Sequence, residues 1–274
     1  MCVRMATKQL TKEGLELKDI VELADAHSHI DLITNPIVIK DAIEYGVKTI
    51  ITDGVDTRSN MECLRISDNV NIFAAIGIDP EHCMAMKDDE IEFNVSLIKE
   101  NSKKIVAVGE IGLDYKLATT AEAREKQKQV FDIMLDTALD LDLPVSVHSR
   151  ESFADVFGMV RDKGMKKVHF HFFDGDEAQA KEVAESGYYI SVPPYKSQKR
   201  AKALAVMPSG RIMGETDSPI VGSSPKSVEN SVMFIAGIKK MDYANAARLT
   251  VENTKAFFNI RYKSNQLSGL GRRQ

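Results

Sequence analysis

From Glu22 onward, short apolar runs alternate with longer segments of helical period, and the alternation is regular enough to count. Strand-like runs are predicted at 22–31, 48–54, 71–78, 105–113, 144–149, 167–173, 188–193 and 211–216. Between them lie helix-like stretches such as Thr120 to Leu141, where Val130, Ile133, Met134 and Leu141 mark one apolar face. Several strand runs are rich in Val, Ile and Ala and sparse in charge, as expected of parallel strands covered by helices on the outside. Successive β/α units in this number predict an α/β fold, a closed (β/α)8 TIM barrel spanning residues 22–260 as one domain. A doubly wound sheet is the alternative, because counting alternations does not show closure. A last helical segment, Tyr243 to Phe258, ends in Phe257-Phe258-Asn259 and is expected to pack against the barrel wall.

Composition narrows the class. At 274 residues, 43% hydrophobic and 28% charged, the chain reads as an ordinary globular protein with enough length for a sizeable core. The formal charge of −4 argues against a broadly basic nucleic-acid surface, so contact with a polyanion must be local or metal-mediated. Cys2, Cys63 and Cys83 are odd in number and fit no zinc spacing, which predicts reduced thiols, no disulfide and a cytoplasmic location. Residues 1–21 are polar and charged, without the apolar core of a signal peptide, and read as an extension. Residues 261–274 have little to bury and are expected to form a flexible tail. Among the longest apolar runs is Ile72 to Ile78, interrupted at Gly77 and far short of a membrane span. No obligate protein partner is evident.

The candidate chemistry starts at Asp25-Ala26-His27-Ser28-His29-Ile30-Asp31. In an extended backbone alternate side chains share a face, so His27 and His29 converge, as a divalent metal requires. Taken alone the pair is a weak signal. In a parallel barrel, however, functional groups gather at the carboxyl ends of strands, and there the sequence supplies Glu110, His148, His171 and Asp217 as well. Each has a bland explanation, since a strand-end histidine is more often a hydrogen-bonded core residue and an Asp before Ser-Pro is a common turn signal. Together they place four of the six histidines at predicted strand ends, which scattered structural use would rarely do. The nitrogen and carboxylate set, without sulfur, suits Zn²⁺, Mn²⁺ or Mg²⁺. Six ligands exceed what one catalytic zinc uses, so two divalent ions about 3.5–4 Å apart are expected. Glu110 is the natural bridge, and Asp217 the group to bind the attacking water and take its proton.

These residues carry a resemblance to the TatD family of metal-dependent hydrolases. The matching blocks are Asp25 to Asp31, Gly109-Glu110-Ile111-Gly112-Leu113-Asp114-Tyr115, Val147-His148-Ser149-Arg150, His171-Phe172-Phe173-Asp174-Gly175 and Met213-Gly214-Glu215-Thr216-Asp217-Ser218-Pro219, in order along residues 25 to 258. The resemblance implies a TIM-like barrel, a two-ion site using the same six ligands, and phosphodiester cleavage of DNase or 3′→5′ exonuclease type; some relatives deacylate D-aminoacyl-tRNA instead. The sequence departs from the family in its first 20 or so residues, at Asp79, where relatives often carry a substrate-facing His, and at Phe172 and Asp174, which replace the usual Cys and Ser or Thr.

The remaining polar residues receive humbler roles. His169 shares a face with His171 about 7 Å deeper and is expected to be a hydrogen-bonded barrel histidine. Glu215 should orient a ligand or Arg150, and His82 should be a solvated loop residue. Lys196 and Lys199, in the basic run after the seventh strand, join Lys116 and Arg150 as candidates to hold a phosphate. The functional expectation is therefore a metal-dependent phosphodiesterase acting on DNA or RNA ends. The alternative is an amide or ester hydrolase acting on a small molecule or D-aminoacyl-tRNA, and a metal-holding binding protein comes last.

Overall fold

The computed structural model describes residues 21–261, so the expected extension and tail, like Cys2, lie essentially outside the described residues. Eight parallel strands form the sheet in sequence order: β1 (Leu23–Ser28), β2 (Val47–Asp53), β3 (Ile72–Ile76), β4 (Ala107–Asp114), β5 (Val145–Arg150), β6 (Val168–Phe170), β7 (Tyr189–Val192) and β8 (Ile212–Gly214). A doubly wound sheet would reverse direction at a switch point, and this order never does. Between β1 and β8 the ring is closed by main chain past the strand ends: Asp217 N donates to His27 O at 3.0 Å, and His29 N to Ser218 O at 2.7 Å. The architecture is a (β/α)8 barrel.

The helices α1 (Pro36–Tyr45), α2 (Thr57–Ile66), α3 (Asp88–Glu100), α4 (Ala121–Asp140), α5 (Phe153–Asp162), α6 (Glu177–Glu185), α7 (Gln198–Val206), α8 (Val228–Lys239) and α9 (Tyr243–Phe257) begin largely where the sequence provides caps. Asp56 and Ser59 form a capping box on α2, and Asp176 and Gln179 another on α6, each satisfying amides that the first turn leaves unpaired. Period-2 alternation then divides each strand between two environments. Ile111, Leu113, Val145, Val147 and Phe170 pack outward among Val130, Phe131, Met134 and Val156 of the helical layer. Their neighbours in sequence, Asp114, His148, His169 and His171, are engaged with one another or with other polar groups of the site.

The end of α9 differs from the expectation of packing on the barrel wall. Phe257 and Phe258 cluster with Ala26, Ile51, Phe73, Ala75, Ala107 and Met213 from five strands, and their rings lie 5.7 and 6.0 Å from that of His169. Side chains from so many strands meet only inside the ring, so the pair plugs the barrel below the histidines.

In β4, Val108 stands opposite Val145 but Ile111 opposite Val147, so three steps on one strand match two on the other, a bulge that carries Glu110. Just after it, Gly112 has φ +140°, and a Cβ there would lie 2.1 Å from the carbonyl oxygen of His148. No side chain fits without moving β5. Gly112→Ala should therefore destabilise the protein by about 2–4 kcal/mol, from backbone strain and displaced packing. Urea unfolding of the metal-free protein measures it; a loss under 0.5 kcal/mol, about the size of an ordinary surface substitution, would show that β4 and β5 can separate there.

Candidate metal centre

The six residues picked from strand ends converge at the mouth of the barrel. His27 and His29 come from the end of β1, Glu110 from the β4 bulge, His148 from β5, His171 from just past β6 and Asp217 from the loop after β8. Asp217 sits in left-handed backbone at φ +50°, which Asp tolerates better than most residues, and its amide is tied to His27 O.

The side chains form two groups that could each hold a cation: His27, His29 and Asp217 on one side, and Glu110, His148 and His171 on the other. Glu110 faces both. Its Oε2 lies 3.5 Å from His27 Nε2 and 3.4 Å from His29 Nε2, while Oε1 lies 2.8 Å from His148 Nδ1 and 3.0 Å from His171 Nε2. Asp217 Oδ1 lies 3.3 Å from His29 Nε2 and 3.8 Å from His27 Nε2. A third combination, His27, His171 and Glu215, overlaps both groups.

A cation fits this arrangement on two grounds. His27 Nε2 and His171 Nδ1 are buried without a hydrogen-bond partner, although polar atoms in such positions are almost always satisfied. In addition, His148 Nδ1 and His171 Nε2 face each other at 3.2 Å across Glu110 Oε1, an arrangement in which two ring nitrogens compete for one acceptor. Both are explained if the ring nitrogens and carboxylate oxygens are ligand atoms.

Burial alone would push Glu110 up, but the charge of His171 and hydrogen bonds from His148 and His171 hold it well below the ordinary carboxylate range. Burial pulls His29 down, yet Asp217 and Glu110 outweigh it and push this imidazole up to about 10. His148 is likewise pushed up to about 10 by Asp114 and Glu110 against the effect of burial. A cation binds the neutral imidazole, so loading must displace these protons, and affinity must rise with pH. Titrating Zn²⁺ or Mn²⁺ into the protein at pH 7, in buffers of different ionisation enthalpy, should show net proton release. Loading with no proton exchange would place the ions elsewhere.

Deeper in the barrel, His169 is fully buried between hydroxyls, with Nδ1 3.3 Å from Ser146 Oγ and Nε2 2.6 Å from Ser191 Oγ. Ser191 in turn donates to Glu215 Oε2 at 2.7 Å. Glu215 lies 4.0 Å from His171 Nδ1, and burial raises its carboxyl to about 8. His82 is not simply solvated: its Nδ1 is 2.8 Å from Asp79 Oδ1, and the pair lies on the wall of the mouth. Asp174 faces Lys199 Nζ at 3.6 Å and Arg200 Nη2 at 3.5 Å, which offsets a charge that would repel a phosphate.

Above these six side chains opens a cleft of about 2050 Å³. Arg150 and Lys199 line it; Lys116 and Lys196, both exposed, are not among its lining residues. Arg58 and Arg65 on α2 line it too, and they carried no signal in the sequence because an arginine on a helix is usually just solvated. Asp53 and Asp114 were also missed as site residues. Asp114 Oδ2 is 2.9 Å from His148 Nε2, and Asp53 Oδ2 is 3.2 Å from His27 Nδ1. The available signal was position: Asp53 is the last residue but one of a predicted strand run, and Asp114 immediately follows another.

Among the described residues Cys63 and Cys83 are free thiols, and no helix is long and apolar enough to cross a membrane. In comparisons with known proteins, a family profile described as TatD related DNase matches residues 24–259. Deoxyribonuclease TATDN3 of Homo sapiens is 27% identical over 260 residues, covering 87% of this chain and 95% of that protein. An uncharacterized metal-dependent hydrolase of Methanocaldococcus jannaschii is 30% identical over 252 residues, covering 88% and 98%. The structure of a TatD homolog from Escherichia coli superposes with a TM-score of 0.80 at 24% identity, covering 88% of this chain and all 100% of that one, a likeness of fold. With the profile spanning the whole barrel and every strand-end histidine, the chain belongs to the TatD related DNase family and is a metal-dependent hydrolase.

Proposed function

We propose that this protein is a phosphodiesterase acting on the ends of DNA or RNA, with His27, His29 and Asp217 holding one divalent ion, His148 and His171 a second, and Glu110 shared between them. The observation that carries the reading is the position of Glu110, with one carboxylate oxygen turned to each histidine group. Divalent ions in such a site supply Lewis acidity, which polarises a phosphoryl oxygen and acidifies a coordinated water.

The chain's own residues do the rest. Asp217 is buried, but hydrogen bonding from His29 and the charge of His27 hold its carboxyl below the usual range, so it is ionised at neutral pH. It can accept a hydrogen bond from a water at the cleft floor, orient it, and take its proton at Oδ1. Asp114 holds His148 through Nε2, directing Nδ1 toward Glu110. Arg150 presents a planar guanidinium on the cleft wall, suited to two oxygens of a phosphate. Small-ligand sites run to about 300–1,000 Å³. The larger cleft here has room for several nucleotides, in line with the deoxyribonuclease name of the human relative.

The test is digestion of end-labelled single-stranded DNA and RNA by the metal-loaded protein. Nucleotides should be lost from one end, and an Asp217→Asn variant should not release them. Arg150→Ala should raise KM for the oligonucleotide about 10-fold, the value of one charge-assisted contact, whereas Lys116→Ala and Lys196→Ala should leave KM within twofold. A second reading, hydrolysis of an amide or ester in a small molecule or D-aminoacyl-tRNA, is favoured by the acidic side chains also lining the mouth, Asp31, Asp56, Glu62 and Glu81. Cleavage of such substrates with DNA and RNA left intact would select it.

A further inference from the structure

We propose that Asp53, at the end of β2, is a positioning residue that fixes both histidines of the β1 pair with their Nε2 atoms turned to the metal, His27 through its carboxylate and His29 through its carbonyl. The inference rests on the reading of that pair as ligands. An imidazole binds a cation through one nitrogen, and the other then carries a proton and donates it. For His29 the donor is settled by what it faces: Nδ1 lies 2.8 Å from the main-chain oxygen of Asp53, which can only accept. Nε2 is thereby left toward Asp217 and Glu110.

His27 shows the same arrangement with a different atom. Its Nδ1 lies 3.2 Å from Asp53 Oδ2, and its Nε2, without a hydrogen-bond partner, faces Glu110 and Asp217. The other polar neighbour of Nδ1 is Ser146 Oγ, farther off at 3.5 Å and shared with His169. Asp53 is wholly buried, and neither carboxylate oxygen completes a hydrogen bond to any group among the described residues, the 3.2 Å approach of Oδ2 to His27 Nδ1 being its closest ion-pair contact. Burying a carboxylate there is costly unless it does something for a neighbour, and His27 Nδ1 is the neighbour it touches. Room for it is left by Gly109, where a Cβ would stand 3.2 Å from Oδ1. One residue therefore holds two ligands, by its side chain and by its main chain, and a side-chain substitution separates the two roles.

The experiment compares wild type with Asp53→Ala and Asp53→Asn, each loaded with Zn²⁺, by competition with a chelator and by ¹H–¹⁵N spectra of the histidine rings. In Asp53→Ala the affinity of the first ion pocket should fall about 10–100-fold, the usual cost of losing such a partner. The His27 Nδ1 proton should exchange rapidly and shift, while that of His29 stays protected because the carbonyl remains. Asp53→Asn, which keeps an acceptor oxygen, should recover part of the affinity. A folded Asp53→Ala protein with wild-type affinity and an unmoved His27 resonance overturns the proposal. If the alanine variant does not fold, an Asp53→Asn protein with wild-type affinity and spectrum overturns it equally. Failure of the wild type to bind Zn²⁺ through His27 and His29 would instead overturn the ligand assignment.

Discussion

On the proposed two-ion reading, Glu110→Gln should cost the protein both ions and its activity. An amide offers one weak oxygen ligand where the carboxylate turns a charged oxygen to each histidine group. Two-ion charge stabilisation contributes several kcal/mol at the transition state, so kcat/KM should fall by about 10³-fold or more. The metal-free protein should suffer as well. Glu110 is buried against four imidazoles, and removing the charge from a buried cluster of this kind typically costs roughly 3–5 kcal/mol. The pH dependence has a definite sign. The folded carboxyl lies below its ordinary value of 4.5, so its contribution to stability is present above that value and is lost as pH falls through the folded one. Acid unfolding of the variant should therefore be shallower than that of the wild type. The decisive measurements are metal content after dialysis and urea unfolding between pH 3 and 7; a variant that still retains two ions would remove Glu110 from the shared position.

Asp217→Asn should leave a folded protein that binds substrate and turns it over about 10²–10⁴-fold more slowly, the range for loss of a general base. Asparagine preserves the size of the side chain and can still offer an oxygen to the first pocket, but it cannot take a proton from water. The loss should appear in kcat with KM little changed, because in the proposed reading the cleft wall, not this carboxylate, holds the substrate phosphates. Ion affinity should fall at the pocket of His27 and His29 and stay near wild type at that of His148 and His171. Single-turnover kinetics with the loaded variant give the comparison. A kcat within threefold of wild type would assign the proton to another group.

Much of the molecule was legible along the chain because parallel strands covered by helices on the outside advertise themselves. Each predicted strand run overlaps a strand, three of the strands passing the predicted limit by one residue, and the helix expected over Thr120 to Leu141 is α4, Ala121–Asp140. Strand-end chemistry was equally readable, since His27, His29, His148 and His171 stand at the same edge of different strands. What escaped was anything whose meaning depends on a partner from another strand. Asp53 and Asp114 received no site role until β2 and β4 were laid beside the histidines they face. The fate of the basic residues was also hidden, because Arg58 and Lys116 are alike in one dimension and only the first lines the cleft.

The sequence by itself determined the repeating β/α pattern, the class of fold and a set of nitrogen and oxygen groups that could hold a cation, because hydrophobic period and residue type are local properties that need no distant partner. Tertiary structure alone decided that the sheet closes, that Phe257 and Phe258 plug its interior, and that Glu110 reaches both histidine groups. Those facts depend on a bulge in β4 and on hydrogen bonds joining His27 and His29 to the Asp217–Ser218 loop, nearly two hundred residues away. Closure is a property of all the strands at once, and no window along the chain contains it.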